Sequence, residues 1–107
     1  QEAPSHPLFR MAVVGKALVV GVGKYCFLNN LPNAVIDAAH LVTSLEFHGW
    51  NVVTVFDKGK DKISNAIARF VRSIENSDCP CLFAFVGHGA VFKRELFFLP
   101  SDFGNLQ

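Results

Sequence analysis

Hydrophobic positions along the chain fall into three continuous runs, separated by two stretches in which apolar and polar residues recur at helical spacing. Lys16–Val22 is almost entirely apolar and predicts a buried strand. Trp50–Phe56 is rich in β-branched and aromatic residues and predicts a second strand. Cys81–Val86 has no polar break, which predicts a third strand that is buried on both faces.

The two stretches between these runs predict helices. Residues 34–47 carry one apolar stripe, with Asn33 at the N-cap position and Gly49 just after the last turn. Residues 61–76 carry a second stripe opposite a charged face. The order strand, helix, strand, helix, strand predicts βαβ units and a parallel sheet. After the third strand, residues 90–99 predict a short hairpin.

The ends of the first and third strands are predicted to lie together. If the third strand returns beside the first, on the side away from the second, the sheet has its switch point between them. Loop 23–33 leaves the first strand and Gly87-His88-Gly89 leaves the third, so both would border the crevice where such sheets bind ligands. An ordinary turn with His88 as a strand cap is the alternative. Asp37 would lie in the first turn of the following helix, where its carboxylate also favours the helix dipole.

Composition narrows the class of protein. The chain has 107 residues, of which 50% are hydrophobic, as expected for one globular domain. Its formal net charge of +1 gives no electrostatic reason to expect a nucleic acid or an anionic membrane as partner. The apolar stretch Met11–Val22 is too short to span a membrane. The chain has three cysteines, Cys26, Cys79 and Cys81. This number favours a reducing cytoplasmic setting over a disulfide framework.

Two short motifs resemble a phosphate-binding loop and a metal site, but neither match is complete. A phosphate loop needs a glycine five positions before Gly23, where this chain has Leu18. Cys79-Pro-Cys81 together with His88 offers too few metal ligands, because no fourth ligand is nearby. No metal site is therefore predicted, and the two cysteines are expected to be buried as small hydrophobic residues.

Two ordered pairs of segments resemble the large subunit of the caspase-like proteins. The first pair is Ala17-Leu-Val-Val-Gly-Val22 with Tyr25, and then Leu31-Pro-Asn-Ala-Val-Ile-Asp-Ala38. The second pair is Leu82-Phe-Ala-Phe-Val-Gly-His-Gly89 and then Leu96-Phe-Phe-Leu-Pro-Ser-Asp102. The pattern is similar above all to the metacaspases, paracaspases and bacterial orthocaspases.

The resemblance implies a three-layer caspase-like α/β fold with a mostly parallel sheet. Only the N-terminal part of that fold is expected here. The implied organisation is an irregular leader at residues 1–15, followed by a caspase-like large-subunit domain at residues 16–107 that is truncated before the strand carrying the nucleophile.

The same resemblance implies roles for three residues. His88 would be the dyad histidine that activates a cysteine nucleophile and then protonates the leaving amine. The backbone N–H of Gly89 would contribute to the oxyanion hole, where a side chain would be unwanted. Asp37 matches the acid that lines the pocket for a basic residue in metacaspases and paracaspases, so cleavage after Arg or Lys is expected.

The nucleophile of the family is not expected among these residues. It is a cysteine at the end of the next strand, in an aspartate-x-cysteine segment, and the chain stops at Gln107 before reaching it. Cys81 enters the strand that His88 leaves, and a strand rises about 3.3 Å per residue, so the two would be well apart. Cys26 is the residual candidate, although a packed position is expected for it. The chain is expected to be inactive alone, and to be completed by a small-subunit segment or a second chain.

Three interpretations remain, and none of them predicts a cofactor. Several metacaspases use calcium, but the segment after His88 offers only Glu95 and Asp102, which leaves calcium dependence open. The leading interpretation is the large-subunit portion of a caspase-like cysteine endopeptidase acting on peptide or protein substrates. The alternatives are a non-catalytic caspase-like scaffold or regulator, and a small doubly wound nucleotide or signalling domain.

Overall fold

The computed structural model describes residues 13–105, which form a layered α/β fold followed by a hairpin. The elements in chain order are β1 (Gly15–Gly21), α1 (Ala34–Phe47), β2 (Trp50–Phe56), α2 (Lys60–Ile74), β3 (Cys81–Val86), β4 (Gly89–Phe92) and β5 (Glu95–Phe98). The predicted order of strands and helices is confirmed. The expected leader lies outside the described residues except for its last three, of which Gly15 already belongs to β1. Neither helix within residues 13–105 is long and apolar enough to cross a membrane.

Strand β1 is the centre of a parallel sheet with the order β2-β1-β3. The condition on which the predicted crevice depends, that the third strand returns beside the first and away from the second, is met. Gly21 is level with Phe56 on one side and with Val86 on the other. Because the three strands end at the same height, the loops that follow them begin side by side at one edge of the sheet.

The two helices cover opposite faces of this sheet. A β-carbon placed on Gly21 would lie only 2.8 Å from the Ala38 side chain, so this face of β1 is in close contact with α1. Leu18 and Val20 point to the other face, since side chains alternate along a strand, and they pack in one cluster with Phe70 of α2. The central strand is thus buried on both faces. The expected three-layer arrangement, helix on sheet on helix, is confirmed.

Strand β3 is more exposed than its apolar sequence predicts. Cys81 and Phe83 are exposed, the latter to 40%, and the other four residues of β3 are only partly buried. The prediction that this strand is buried on both faces is wrong for the described residues, because β3 lies at the border of the sheet, where its faces are less covered than those of the central strand β1. Cys81 and Cys26 are likewise exposed, and the expectation that they are packed is wrong.

The predicted hairpin is confirmed as an antiparallel pair of β4 and β5. Phe92 is opposite Glu95, which leaves Lys93 and Arg94 as a two-residue turn. Both turn residues have positive φ angles, of 50° and 69°, as a type I′ hairpin turn requires. The hairpin lies against β3 through Phe98, whose ring stacks on that of Phe85 with 4.7 Å between centroids.

The helices begin near the expected residues, but their N-termini are held differently from the prediction. Asn33 occupies the N-cap position of α1 without making a side-chain cap hydrogen bond, since its backbone is nearly helical, with φ −98° and ψ −1°. The start of α2 is capped by a residue distant in sequence. Asp102 Oδ1 accepts a hydrogen bond of 2.9 Å from the backbone N–H of Lys60, which ties the loop after β5 to α2.

Asp57 ties the loop after β1 to the end of β2. Its φ of 54° lies in the left-handed region, which Asp tolerates better than most residues. Its backbone N–H donates to the Gly21 carbonyl at 2.8 Å. Its Oδ1 accepts from the N–H groups of Gly23 (2.8 Å) and Lys24 (3.0 Å). One partly buried carboxylate therefore satisfies two backbone donors where loop 23–33 begins.

Replacing Asp57 with Ala should lower the free energy of unfolding by about 2–4 kcal/mol, because two N–H groups lose their acceptor and the left-handed backbone becomes unfavourable. Asp57→Asn keeps a side-chain oxygen and the tolerance for positive φ, so it should cost about 1 kcal/mol or less. Urea unfolding of both variants measures the difference. Equal losses in the two variants would contradict the role assigned to the side-chain oxygen.

Candidate active site

His88 lies at the edge of the sheet where β1 and β3 end. The residue follows β3 after Gly87, and its half-buried imidazole reaches across to loop 23–33. Its Nε2 is 2.8 Å from the backbone carbonyl oxygen of Asn29. The two segments that the topology predicted to border one crevice are therefore in direct contact through His88.

The contact with Asn29 decides which imidazole nitrogen is available as a base. A carbonyl oxygen only accepts hydrogen bonds, so Nε2 carries the proton that is donated to Asn29. In the neutral ring, the free lone pair is then on Nδ1. A backbone carbonyl thus orients the imidazole, as a carboxylate does in serine-protease triads. This arrangement can take a proton from a group that approaches Nδ1.

The hydroxyl of Tyr25 holds the main chain of His88 from the other side. The backbone N–H of His88 donates to Tyr25 Oη at 2.9 Å, and this hydroxyl donates to the carbonyl oxygen of Leu99 at 2.9 Å. The backbone N–H of Leu99 donates back to the carbonyl oxygen of His88 at 3.0 Å. Three residues therefore form a closed cycle of three hydrogen bonds, which we call the Tyr25 cycle.

The Tyr25 cycle is a modified rung of the β4–β5 ladder. Gly89 is opposite Phe98, so His88 is opposite Leu99. An antiparallel pair at such a position normally exchanges two direct N–H···O=C bonds. Here one direct bond is present and the tyrosine hydroxyl bridges the other. Because the two kinds of pair alternate, Gly89 and Phe98 form a non-hydrogen-bonded pair, and the N–H of Gly89 points away from β5.

Tyr25 belongs to the hydrophobic core as well as to the site. Its side chain is 8% exposed and packs in the same cluster as Val20 and Phe70. Burial raises the pKa of Tyr25, the hydrogen bond from the His88 N–H acts in the opposite direction, and the negative charge of Asp57 raises the pKa further. The hydroxyl therefore stays protonated at neutral pH, as its hydrogen bond to the Leu99 carbonyl requires.

Asp37 and Gly89 lie at the same edge of the sheet, and neither has a hydrogen bond to the imidazole within the described residues. Asp37 is exposed in the first turn of α1, and its backbone N–H donates to the Asn33 carbonyl at 2.9 Å. Among residues 13–105, no hydrogen bond joins the Asp37 carboxylate to His88. Gly89 is exposed, and a β-carbon there would lie 3.5 Å from its nearest neighbour, which is ordinary contact distance. The surrounding protein therefore leaves room for a side chain at Gly89.

Gly87, unlike Gly89, has no room for a side chain. A β-carbon placed on Gly87 would lie 2.7 Å from Tyr25 Oη and 2.9 Å from the Phe85 ring, closer than such atoms approach. A glycine is needed here because the tyrosine hydroxyl and the main chain before His88 come so near to each other.

Within residues 13–105, no hydrogen bond joins a cysteine to His88. Cys81 lies at the opposite end of β3, and Cys26 is exposed, with its backbone N–H donating to the Ser101 carbonyl at 3.0 Å. Among the same residues, no group of three or more His, Cys, Asp or Glu side chains could hold a metal ion.

Sequence reasoning selected His88 as a candidate but missed the groups that orient it. The acceptor on Asn29 is a backbone carbonyl, which leaves no signature in a sequence. Tyr25 was noted only as part of the family resemblance. Its signal was nevertheless available, because the single tyrosine of the chain lies on the loop that was predicted to face His88.

Because the chain has one tyrosine, the ultraviolet absorbance of phenolate reports on Tyr25 alone. Since burial raises its pKa, the alkaline midpoint should lie above about 10 in the folded protein and return to about 10 in denaturant. The folded state keeps this proton longer than the unfolded state. The associated stability is therefore complete below about pH 10 and is lost as the pH rises through the folded pKa. A midpoint of about 10 in both states would contradict the buried hydroxyl.

The comparison with protein families agrees with this fold. The family model described as the caspase domain matches residues 14–104, from the start of β1 to the loop after β5. A search among curated proteins found no match. The family match covers most of the chain and confirms the caspase-like resemblance at the level of the family. The protein therefore belongs to the caspase-domain family of cysteine peptidases.

Proposed function

We propose that this chain is the histidine-bearing, large-subunit portion of a caspase-like cysteine endopeptidase, with His88 as its catalytic base. The observation that carries the proposal is the hydrogen bond from His88 Nε2 to the Asn29 carbonyl, because it leaves Nδ1 as the free base. The caspase-domain match supplies the class of reaction, which is the hydrolysis of peptide bonds in proteins.

In the proposed reaction, Nδ1 of His88 takes the proton of a cysteine thiol, and the thiolate attacks the carbonyl carbon of the scissile bond. The imidazolium then gives its proton to the leaving amine, which departs as the tetrahedral intermediate collapses to a thioester. Water, deprotonated by the same imidazole, attacks the thioester and releases the acid and the thiol. Throughout, the hydrogen bond to Asn29 keeps Nδ1 directed at the reacting groups.

The nucleophile is proposed to come from outside the described residues. Cys81 is at the wrong end of β3, and neither Cys26 nor Cys79 has a hydrogen bond to the imidazole. We propose that the caspase-like domain, residues 16–107 here, is completed by a small-subunit segment or a second chain that brings a cysteine to Nδ1. The match to the caspase domain supports this arrangement.

The backbone N–H of Gly89 is proposed as an oxyanion-hole donor. The alternation of the β4–β5 ladder supports this role, because the N–H of Gly89 is not used for pairing with β5. Its position one residue after His88 places the donor close to the base. A donor of this kind stabilises the negative charge that develops on the carbonyl oxygen during attack.

Asp37 is proposed to select a basic residue before the scissile bond, as in metacaspases and paracaspases. The carboxylate is exposed at the start of α1, directly after the loop that contacts His88. It is therefore free to pair with an Arg or Lys of a substrate through charge-assisted hydrogen bonds. We also propose a reducing, cytoplasmic location, which fits the three free cysteines.

A non-catalytic scaffold or regulator is the second candidate, and the exposed surface of the hairpin favours it. Val91, Phe92 and Leu96 are 72%, 64% and 63% exposed, which is characteristic of surfaces that contact another protein. The intact reading frame distinguishes the two candidates. An aspartate-x-cysteine segment after a further strand supports the peptidase, and its absence supports the scaffold.

In the intact protein, His88→Ala should reduce kcat on an arginine-ended peptide by about 10²- to 10⁴-fold, because the thiol and the leaving amine lose their proton carrier. His48→Ala is the matched control. His48 is exposed at the end of α1, and its loss should change kcat by about two-fold or less. Cleavage by His88→Ala at the rate of the unmodified protein would remove His88 from the mechanism.

Asp37→Asn should lower kcat/KM for an arginine-ended peptide by about 10- to 100-fold, since the substrate guanidinium loses a charge-assisted partner. Cleavage of a peptide with an uncharged residue at this position should be unaffected. Glu46→Gln removes another exposed carboxylate from α1 and serves as the control. If the two variants lose activity equally, Asp37 has no special role in specificity.

A further inference from the structure

The side chain of Tyr25 contacts His88 in two ways. Its hydroxyl accepts from the backbone N–H of His88 at 2.9 Å. Its ring lies against the imidazole, with 4.7 Å between the ring centroids and a tilt of 59°. The imidazole is therefore held between the Tyr25 ring and the Asn29 carbonyl, which restricts the side-chain conformations open to it.

The main chain of Tyr25 also positions the partner of His88. Its backbone N–H donates to Asn30 Oδ1 at 2.8 Å, one residue after the carbonyl that the imidazole contacts. Tyr25 therefore has hydrogen bonds to the segments that carry both the donor and the acceptor of the His88–Asn29 bond. The hydroxyl fixes the main chain that carries the donor, and the backbone fixes the loop that carries the acceptor.

We propose that Tyr25 is a positioning residue, whose hydroxyl sets the place of His88 for proton transfer; this inference rests on the proposed function. A direct rung would join the His88 N–H to the Leu99 carbonyl. The inserted hydroxyl replaces this bond by two successive bonds of 2.9 Å each, while the Leu99 N–H keeps its direct bond of 3.0 Å to the His88 carbonyl. The hydroxyl thereby fixes the main chain from which the imidazole reaches the Asn29 carbonyl.

Gly87 provides independent support for this role. A β-carbon on Gly87 would lie 2.7 Å from Tyr25 Oη, so the hydroxyl keeps its place only if this residue has no side chain. Gly87→Ala should therefore displace the Tyr25 hydroxyl and disturb its hydrogen bonds to His88 and Leu99. The two substitutions act on one set of hydrogen bonds, and their effects on the position of His88 should be less than additive.

The activity test compares Tyr25→Phe with Val55→Ala in the intact protein. Tyr25→Phe removes only the hydroxyl and should lower kcat by about 10- to 100-fold with little change in KM, because small displacements of catalytic groups have effects of this size. Val55→Ala loses packing against the same core cluster and removes no hydrogen bond of the Tyr25 cycle. It should lower the stability of the protein but leave kcat within about two-fold.

A second measurement does not depend on activity. Nitrogen chemical shifts of His88 should show the Nε2–H tautomer in the unmodified protein and a mixture of both tautomers in Tyr25→Phe and Gly87→Ala. Hydrogen exchange of the His88 amide should be about ten-fold faster or more in Tyr25→Phe, since its acceptor is gone. The His48 ring, which contacts Ser44 at the end of α1, is the internal reference and should not change.

The inference is overturned if Tyr25→Phe leaves both the tautomer and the amide exchange of His88 unchanged. It is equally overturned if Val55→Ala lowers kcat as much as Tyr25→Phe does, since general destabilisation would then explain the loss. Failure of the proposed function would appear elsewhere, as full activity in His88→Ala. The two failures are therefore distinguished by different variants and different measurements.

Discussion

Burial of β1 on both faces is the constraint on which the rest of the structure depends. Its side chains alternate between α1 and α2, and its backbone pairs in parallel with β2 and β3. The register of β1 is fixed, because a shift of one residue would bring a valine to the position of Gly21, where even a β-carbon would lie 2.8 Å from the Ala38 side chain. The level ends of the three strands follow from this register, and the site is built at that shared edge.

At the edge of the sheet, hydrogen bonds hold loop 23–33 and the segment around His88 together. Asp57 satisfies the N–H groups at the start of loop 23–33, and Tyr25 bridges the main chains of His88 and Leu99. The loop in turn provides the Asn29 carbonyl to the imidazole. Backbone polar groups that leave a buried sheet must find partners, and here the groups that satisfy this requirement also orient the His88 imidazole, which we propose as the catalytic base. The stability of this edge and the proposed function are therefore coupled.

The exposed apolar surfaces of β3 and the hairpin are consistent with a family that contacts other proteins. Strand β3 has β1 on one side only, and the apolar side chains of Phe83, Phe92 and Leu96 are 40%, 64% and 63% exposed within the described residues. Apolar exposure of this extent is typical of a surface that contacts more protein. Residues 14–104 match the caspase domain, a family that acts on protein substrates.

Apolar periodicity was enough to predict the elements, because it reports which residues must be buried. It predicted Ala34–Phe47 as α1, a parallel sheet, and His88 at the end of its third strand. How far β3 is covered could not be predicted, since burial depends on neighbours that one strand does not encode. The same holds for the orientation of His88. Its acceptor is a carbonyl with no residue-specific signature, and its hydroxyl partner is 63 residues away along the chain. Contacts between residues so distant in sequence exist only when the sheet has brought their strands together.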